Sequence, residues 1–253
     1  MKKLIIFSAA LAALVSCNKS IIEMPVASDE KGYIVLDVAT SDVMVETKAL
    51  TANASLDEYN ITLINNETSA TWTKEYGEAV ADASLWKVDP GTYTIKVENK
   101  SEKEVYPNNS SAGDIRIYGE TNVEVTAGKS SGCTVNCKPV NGKISFDGTA
   151  NFLRIFTDPT VTVTDNTRTA SLGTVSNTFG DAAFFNPCTV TWTLRAKVES
   201  VEKTYTGDVT ITAAHWSKVT FDVSSTNGVI NVTISVNDTM TESDVDAPVD
   251  PLK

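Results

Sequence analysis

Residues 122–146, NVEVTAGKSSGCTVNCKPVNGKISF, decide the fold, because they recur without a gap as residues 208–232, DVTITAAHWSKVTFDVSSTNGVINV. The identical pairs are Val123/Val209, Thr126/Thr212, Ala127/Ala213, Ser131/Ser217, Thr134/Thr220, Asn141/Asn227, Gly142/Gly228 and Ile144/Ile230. The positions that agree in their apolar or thiol character are Val125/Ile211, Cys133/Val219, Val135/Phe221 and Cys137/Val223. A repeat with matching core positions indicates a repeated structural unit. The sequence therefore predicts two similar β domains, with a boundary near Asp147-Gly148.

Outside the repeat, apolar and polar residues alternate in many short runs. Tyr93, Ile95 and Val97 alternate with Thr94 and Lys96, which predicts a strand with one buried and one solvated face. Similar runs, separated by turns such as Asp89-Pro90-Gly91, continue to residue 236. Such spacing is typical of β-sandwiches. We predict an all-β fold of two tandem β-sandwich domains, residues 32–147 and 148–238, with weak helical signals only at 57–59 and 151–156.

The two ends of the chain predict targeting and tail segments. Met1-Lys2-Lys3 is followed by an apolar run at 4–15 and by Leu14-Val15-Ser16-Cys17. The run is too short to span a bilayer but fits a signal peptide. We expect residues 1–16 to be a lipoprotein signal, with lipid on Cys17; an ordinary secretory signal that contains a cysteine is the alternative. Residues 17–31 are expected to form a tether, and residues 239–253 an acidic tail.

Charge and composition exclude some functions. The net charge is −11, and a strongly acidic protein is a poor nucleic-acid ligand, so we expect no nucleic-acid partner. The only histidine is His215, in a predicted turn, which argues against histidine-dependent catalysis. No ligand spacing predicts a metal or other cofactor, and we expect a protein that is not an enzyme.

Three cysteines besides Cys17 bear on the core. Cys133 and Cys137 are four residues apart in a predicted strand, about 13 Å at the usual rise, which is too far for a disulfide between them. A bridge would therefore join one of them to Cys188. Because the second copy of the repeat has core valines at the matching positions, we prefer three buried free thiols.

A few residues are candidates for binding or modification. Trp72 and Trp216 lie near predicted turns and are candidate ligand contacts, whereas Trp192 lies in a core-facing phase. Asp238-Thr239-Met240 suits bacterial O-glycosylation at Thr239. The motif is short and therefore of low specificity.

The order of several motifs resembles the fimbrillin-like lipoproteins of Bacteroidetes. The segments that carry the resemblance are the Cys17 signal, Gly32–Val38, Val45–Ala49, Leu56–Ile61, Trp72–Tyr76, Pro90–Tyr93, Val135–Lys138 and the acidic ending from Val236 to Pro248. The resemblance implies transthyretin-like sandwiches and a lipoprotein carried to the outer membrane. In pilus-forming members, a protease cuts after a basic residue and removes the first strand, and a partner strand fills the groove. Lys48-Ala49 is the matching bond here, although Arg is more usual at that position.

Two functions follow as hypotheses. The first is a lipid-anchored subunit of a fimbria, structural or adhesive, assembled with other subunits by strand donation at the cell surface. The second is a surface lipoprotein that does not polymerise and binds a glycan or a protein partner. Outer-membrane attachment is common to both.

Overall fold

Strands dominate the structure, which confirms the all-β prediction. A computed structural model of the chain describes residues 31–40, 56–226, 229–238 and 241–243. The first group of strands is β1 Gly32–Thr40, β2 Asn60–Asn65, β3 Thr71–Glu75, β4 Lys87–Val88, β5 Gly91–Glu98, β6 Ile117–Val125 and β7 Ser130–Pro139. The second is β8 Gly142–Gly148, β9 Thr157–Thr164, β10 Thr169–Thr174, β11 Ala182–Phe185, β12 Cys188–Val198, β13 Val201–Ile211, β14 Trp216–Thr226, β15 Val229–Asp238 and β16 Thr241–Ser243.

Short helices connect some of these strands. They are α1 Tyr76–Ala81, α2 Glu102–Val105 and α3 Ala150–Ile155, with 3₁₀ turns at Leu56–Glu58 and Ala83–Trp86. The weak helical signals in the sequence correspond to α3 and the first 3₁₀ turn. Helix α2 was not predicted, although Ser101 and Glu104 form a complete capping box that marks its start.

The strands form two sandwiches, each with its own core. In the N-terminal sandwich, β1–β7 are hydrogen-bonded in the order β3-β2-β5-β6-β7-β1-β4. Its core includes Ile61, Trp86 and Ile95. The C-terminal sandwich has one sheet in the order β10-β9-β12-β13 and another in the order β11-β8-β14-β15-β16. Its core includes Trp192 and Phe221, whose rings meet edge to face at 5.4 Å.

The change from one core to the other falls earlier than we expected. Strand β8 pairs with β14 and β11, and its Ile144 and Phe146 belong to the C-terminal core. The boundary therefore lies at 140–141, not near Asp147-Gly148. Residues 142–147, which we had assigned to the first domain, supply the first strand of the second sandwich.

The two sandwiches open with equivalent strands in the same register. β1 pairs parallel to β7 with Tyr33 opposite Ser130, and β8 pairs parallel to β14 with Lys143 opposite Trp216, the repeat partner of Ser130. Gly32 and Gly142 begin these strands at equally tight positions. A Cβ on Gly32 would lie 2.4 Å from Val125 Cγ1, and one on Gly142 would lie 2.3 Å from the Thr212 carbonyl oxygen. The repeat is therefore structural through β6–β7 and β13–β14.

The last strand of the repeat, β8 in the first copy and β15 in the second, takes different places in the two copies. After β14 the chain turns back into β15, which pairs antiparallel with β14 along its length. After β7 the chain enters β8 and leaves the N-terminal sandwich. Asn141, fully buried at this crossing, donates to the Asp114 carbonyl at 2.7 Å and accepts from the Arg116 amide at 3.0 Å. The same Asn-Gly pair in the sequence therefore serves a crossing between sandwiches in the first copy.

Arg168 joins the two sandwiches. Only 7% of it is exposed, and its guanidinium lies 4.5 Å from the Tyr106 ring centroid and 4.0 Å from that of Phe185. It donates to the carbonyl oxygens of Ser111 and Phe184. Burial lowers the pKa of Arg168, and the facing Tyr106 and Asp165 oppose that shift. We call this set the Arg168 joint.

The three described cysteines are free thiols. The preferred prediction is thus confirmed for the bonding state and in part for burial, since Cys137 is buried whereas Cys133 and Cys188 are half-buried. Burial raises the pKa values of Cys133 and Cys137 to about 11. These thiols stay protonated at neutral pH, which makes them poor nucleophiles.

Candidate functional sites

The first candidate site is the position of β1 itself. Its side chains Ile34 and Val38 are 3% and 5% exposed and lie in the N-terminal core. The backbone pairs with β7 over eight residues, from Tyr33 to Thr40, and with β4 over two. A strand that lies near the start of the chain, yet fills part of a core, leaves a groove if it is removed.

Several candidate residues predicted from the sequence lie outside the described residues. They are the lipidation candidate Cys17, the processing candidates Lys48 and Ala49, and the glycosylation candidate Thr239. Lys48 and Ala49 fall in the chain between Thr40, the last residue of β1, and Leu56. A cut there would separate β1 from β2 in the covalent chain.

Trp72 lines a cavity at the end of the N-terminal sandwich. The cavity has a volume of about 520 Å³, and we call it the Trp72 cavity. Half-buried Trp72, on β3, packs edge to face on Trp86 at 5.6 Å, and the Trp86 indole donates to the Ala79 carbonyl at 2.7 Å. The cavity is lined by Lys31, Leu63, Asn65, Glu67, Thr68, Ala70, Thr71, Trp72, Ser84, Leu85, Lys87, Val88, Asp89, Pro90 and Tyr93.

The polar part of the Trp72 cavity is held in place by hydrogen bonds. Asn65 Nδ2 donates to the Tyr93 hydroxyl at 3.1 Å, and that hydroxyl donates to the Asp89 carbonyl at 2.8 Å. Asn65 Oδ1 accepts from the amides of Glu67 and Thr68, which fixes the turn between β2 and β3. Lys31 and Asp89 form an ion pair at 3.4 Å. The sequence nominated Trp72 but not these partners, which come from three separate stretches of chain.

Trp216 lies in the other sandwich, so the structure does not bring the two candidate tryptophans together. Its ring has Lys143 Nζ at 3.8 Å and Lys218 Nζ at 4.3 Å from its centroid, and its indole donates to Ser145 Oγ at 2.7 Å. Phe179 packs edge-on at 6.3 Å. The ring of Trp216 is thus surrounded by side chains of its own sandwich.

Within the described residues, no group of three or more His, Cys, Asp or Glu side chains could hold a metal ion. None of the helices in the described ranges is long and apolar enough to cross a membrane.

The fold and these sites define an all-β protein of two packed sandwiches whose first strand closes the N-terminal core. The chain belongs to the family described as a domain of unknown function, DUF4493, which matches residues 30–251. None of the curated proteins compared with it matches.

Solved structures give the fold a wider context. A fimbrial assembly protein from Parabacteroides distasonis has a TM-score of 0.51 and 10% identity, with 82% of this chain and 98% of that one covered. A candidate cell adhesion protein from Bacteroides eggerthii has a TM-score of 0.45 and 10% identity, with 84% and 97% covered. At such identity the first likeness shows a shared fold alone, and the second carries no further argument.

Proposed function

We propose that this protein is a subunit of a fimbria-type surface assembly, structural or adhesive, joined to its neighbours by strand donation. Lipid on Cys17 attaches the newly exported chain to the outer membrane. A cut at Lys48-Ala49 then releases β1 together with the lipid, and a strand from a partner subunit takes its place. The observation that carries the proposal is the position of β1, which precedes the other described strands of its sandwich and yet belongs to the core.

The free energy of burying the side chains of β1 indicates that its removal would have to be followed by its replacement with another strand. Tyr33, Ile34 and Val38 are each at most 5% exposed. Burial of three such side chains contributes roughly 5–9 kcal/mol, at about 1.5–3 kcal/mol each. That is comparable with the whole stability of a domain, about 5–15 kcal/mol. An emptied groove would therefore need a new strand, and the exposed edge of β7 would pair with it by β-augmentation.

β8 holds the equivalent position in the C-terminal sandwich, but it could not be exchanged in this way. β8 follows β7 after only Val140 and Asn141, so in the chain it connects the N-terminal sandwich with the rest of the C-terminal one. Removal of β8 would cut the protein into two pieces. The proposal therefore assigns the donated strand to the N-terminal sandwich.

The test compares Lys48→Gln with Lys19→Gln, a lysine upstream of β1, in cells that make the protein. Mass spectrometry of the surface fraction should find a chain that begins at Ala49 in the wild type and in Lys19→Gln. It should find residues 17–48 retained in Lys48→Gln, with loss of high-mass assemblies on denaturant-free gels. An intact N-terminus in wild-type assemblies would contradict the processing step, and a wild type that forms no assemblies would contradict the proposed function.

A further inference from the structure

The Trp72 cavity has the dimensions of a small-ligand site. Its volume of about 520 Å³ falls inside the range of roughly 300–1,000 Å³ that is usual for such sites. Its lining combines apolar side chains, among them Leu63, Leu85 and Val88, with several polar side chains. This mixture, an apolar wall with a few polar groups directed at one space, is the general pattern of a binding pocket.

The aromatic wall of the cavity is rigid. Trp72 rests on Trp86, which is 2% exposed and is itself fixed by its bond to the Ala79 carbonyl. A large aromatic side chain that is already ordered loses little conformational freedom when a ligand packs on it. Trp72 can therefore offer a flat apolar surface to a ligand with an equally flat apolar face.

Hydrogen-bonding groups surround that surface. Asn65 and the Tyr93 hydroxyl are linked at 3.1 Å, and Glu67 lies within 3.5 Å of the position that a Cβ on Gly91 would take. Thr68, Thr71 and Ser84 add hydroxyls to the lining. Such groups suit a ligand that carries many hydroxyls, because each ligand hydroxyl can both donate and accept.

The charges of the lining balance. It contains two cations, Lys31 and Lys87, and two carboxylates, Glu67 and Asp89, of which Lys31 and Asp89 form an ion pair. An ionic ligand would have to displace or desolvate groups of its own sign, which disfavours it. The lining therefore selects for a ligand without net charge.

Trp216 offers no equal surface. Two ammonium groups lie within 4.3 Å of its ring centroid, so a ligand would have to displace lysines before it could stack there. The comparison makes Trp216 a suitable control, since it is also a half-buried tryptophan in a strand.

We propose that the Trp72 cavity binds a neutral oligosaccharide, with one pyranose face on Trp72 and its hydroxyls on Asn65 and Glu67, while the buried Tyr93 hydroxyl holds Asn65 in place. Such a ligand matches the apolar wall, the hydroxyl-bearing rim and the balanced charge together. The site would give the subunit an adhesive activity, and it does not depend on strand donation.

The test measures binding of defined trisaccharides to the full chain by titration calorimetry. The probes are maltotriose, fully N-acetylated chitotriose, its deacetylated cationic form, and trigalacturonate with its neutral methyl ester. We expect at least one neutral probe to bind, and Trp72→Ala to weaken it by about tenfold or more. Glu67→Gln, a change on an exposed turn, should weaken it about threefold and protects the test against misfolding of Trp72→Ala.

Matched controls decide the result. Two variants should leave the affinity unchanged. They are Trp216→Phe and Glu124→Gln, the latter at an exposed position of β6. Three results would each overturn the proposal. The first is that no neutral probe binds, the second is that Trp72→Ala and Glu67→Gln both bind with the wild-type affinity, and the third is that the charged member of either matched pair binds more tightly than the neutral one. Assembly of Trp72→Ala into high-mass material at the wild-type level would show that the loss concerns the sugar site and not the proposed subunit function.

Discussion

The N-terminal and C-terminal sandwiches begin with equivalent strands that have different relations to the chain. β1 and β8 share register, a tight initial glycine and a parallel partner, β7 or β14. β1, however, comes before the rest of its sandwich, whereas β8 links the two sandwiches. β14 also pairs with β15 on its other side, while β7 pairs there with β6 at Ile117 and Tyr118 within the described ranges. The same arrangement thus occurs once with a strand that precedes its sandwich in the chain and once with a strand that connects two sandwiches.

The largest effect should follow from removal of β1. A chain lacking residues 1–40 should lose protection of the N-terminal core, since roughly 5–9 kcal/mol of side-chain burial is lost. Hydrogen exchange should show that β8–β14 stay protected. A peptide of residues 32–40 should restore protection, and a scrambled peptide should not. Full protection of β5 and β7 in the shortened chain would contradict the claim that the N-terminal core needs β1.

The Arg168 joint should come next in size. Arg168→Ala leaves two part-buried carbonyl oxygens without their donor and removes contacts with two rings, for a loss of about 2–4 kcal/mol. Thermal unfolding should change from one transition to two, because the sandwiches then unfold separately. Arg195→Ala, an exposed arginine on β12, is the control and should keep one transition. A single unshifted transition in Arg168→Ala would contradict the role of the joint.

The two initial glycines should respond alike. Gly32→Ala and Gly142→Ala each place a Cβ closer than 2.5 Å to a neighbouring atom, and overpacking of this kind costs roughly 1–3 kcal/mol. Denaturant unfolding should show similar losses for both. Gly132→Ala on β7, where a Cβ would meet nothing within 4 Å, should be neutral or slightly stabilising. Losses that differ severalfold between the first two would show that the equivalence of β1 and β8 does not extend to their energetics.

The smallest predicted effect is a pH dependence of the stability of the N-terminal sandwich, whose core contains Cys137. The pKa of Cys137 is raised to about 11 by burial, so the folded state holds the thiol proton more tightly than the unfolded state. Stability is then retained below the ordinary thiol pKa and lost as the pH rises toward 11. At pH 10 the loss should be about 1 kcal/mol. Cys137→Val, which copies Val223 of the second repeat, should remove this part of the alkaline loss; an unchanged pH profile would contradict it.

Local patterns in the sequence predicted strands better than their partners. The alternation at Tyr93–Val97 and the turn at Asp89-Pro90-Gly91 led to β5 and its start. The same local chemistry misplaced β8, because an Asn-Gly pair predicts a turn, and the pair at Asn141-Gly142 is repeated in the sequence at 227–228. Only the contacts of Asn141 with residues 114 and 116, distant in sequence, distinguish the crossing.

The sites show the same division. Trp72 was nominated because it lies near a predicted turn, and its role as a ligand contact stays a prediction, whereas Trp192 was correctly assigned to the core. Lys143 reaches the ring of Trp216 from β8, and the polar partners of Trp72 come from separate stretches of the chain, so no short pattern predicts these arrangements. Arg168 gave no signal at all, since a charged residue in a polar turn is ordinarily exposed.

The parallel pairing of β1 with β7 also determines how the protein bears tension. Residue 31 and the start of β7 lie at the same end of the sandwich, where the Gly128 amide donates to the Lys31 carbonyl at 3.0 Å. A pull on residue 31 along the strand axis shears all eight register pairs together and does not open them one by one. The strand whose far end the proposed cut would free would therefore be loaded in shear by a pull on its near end.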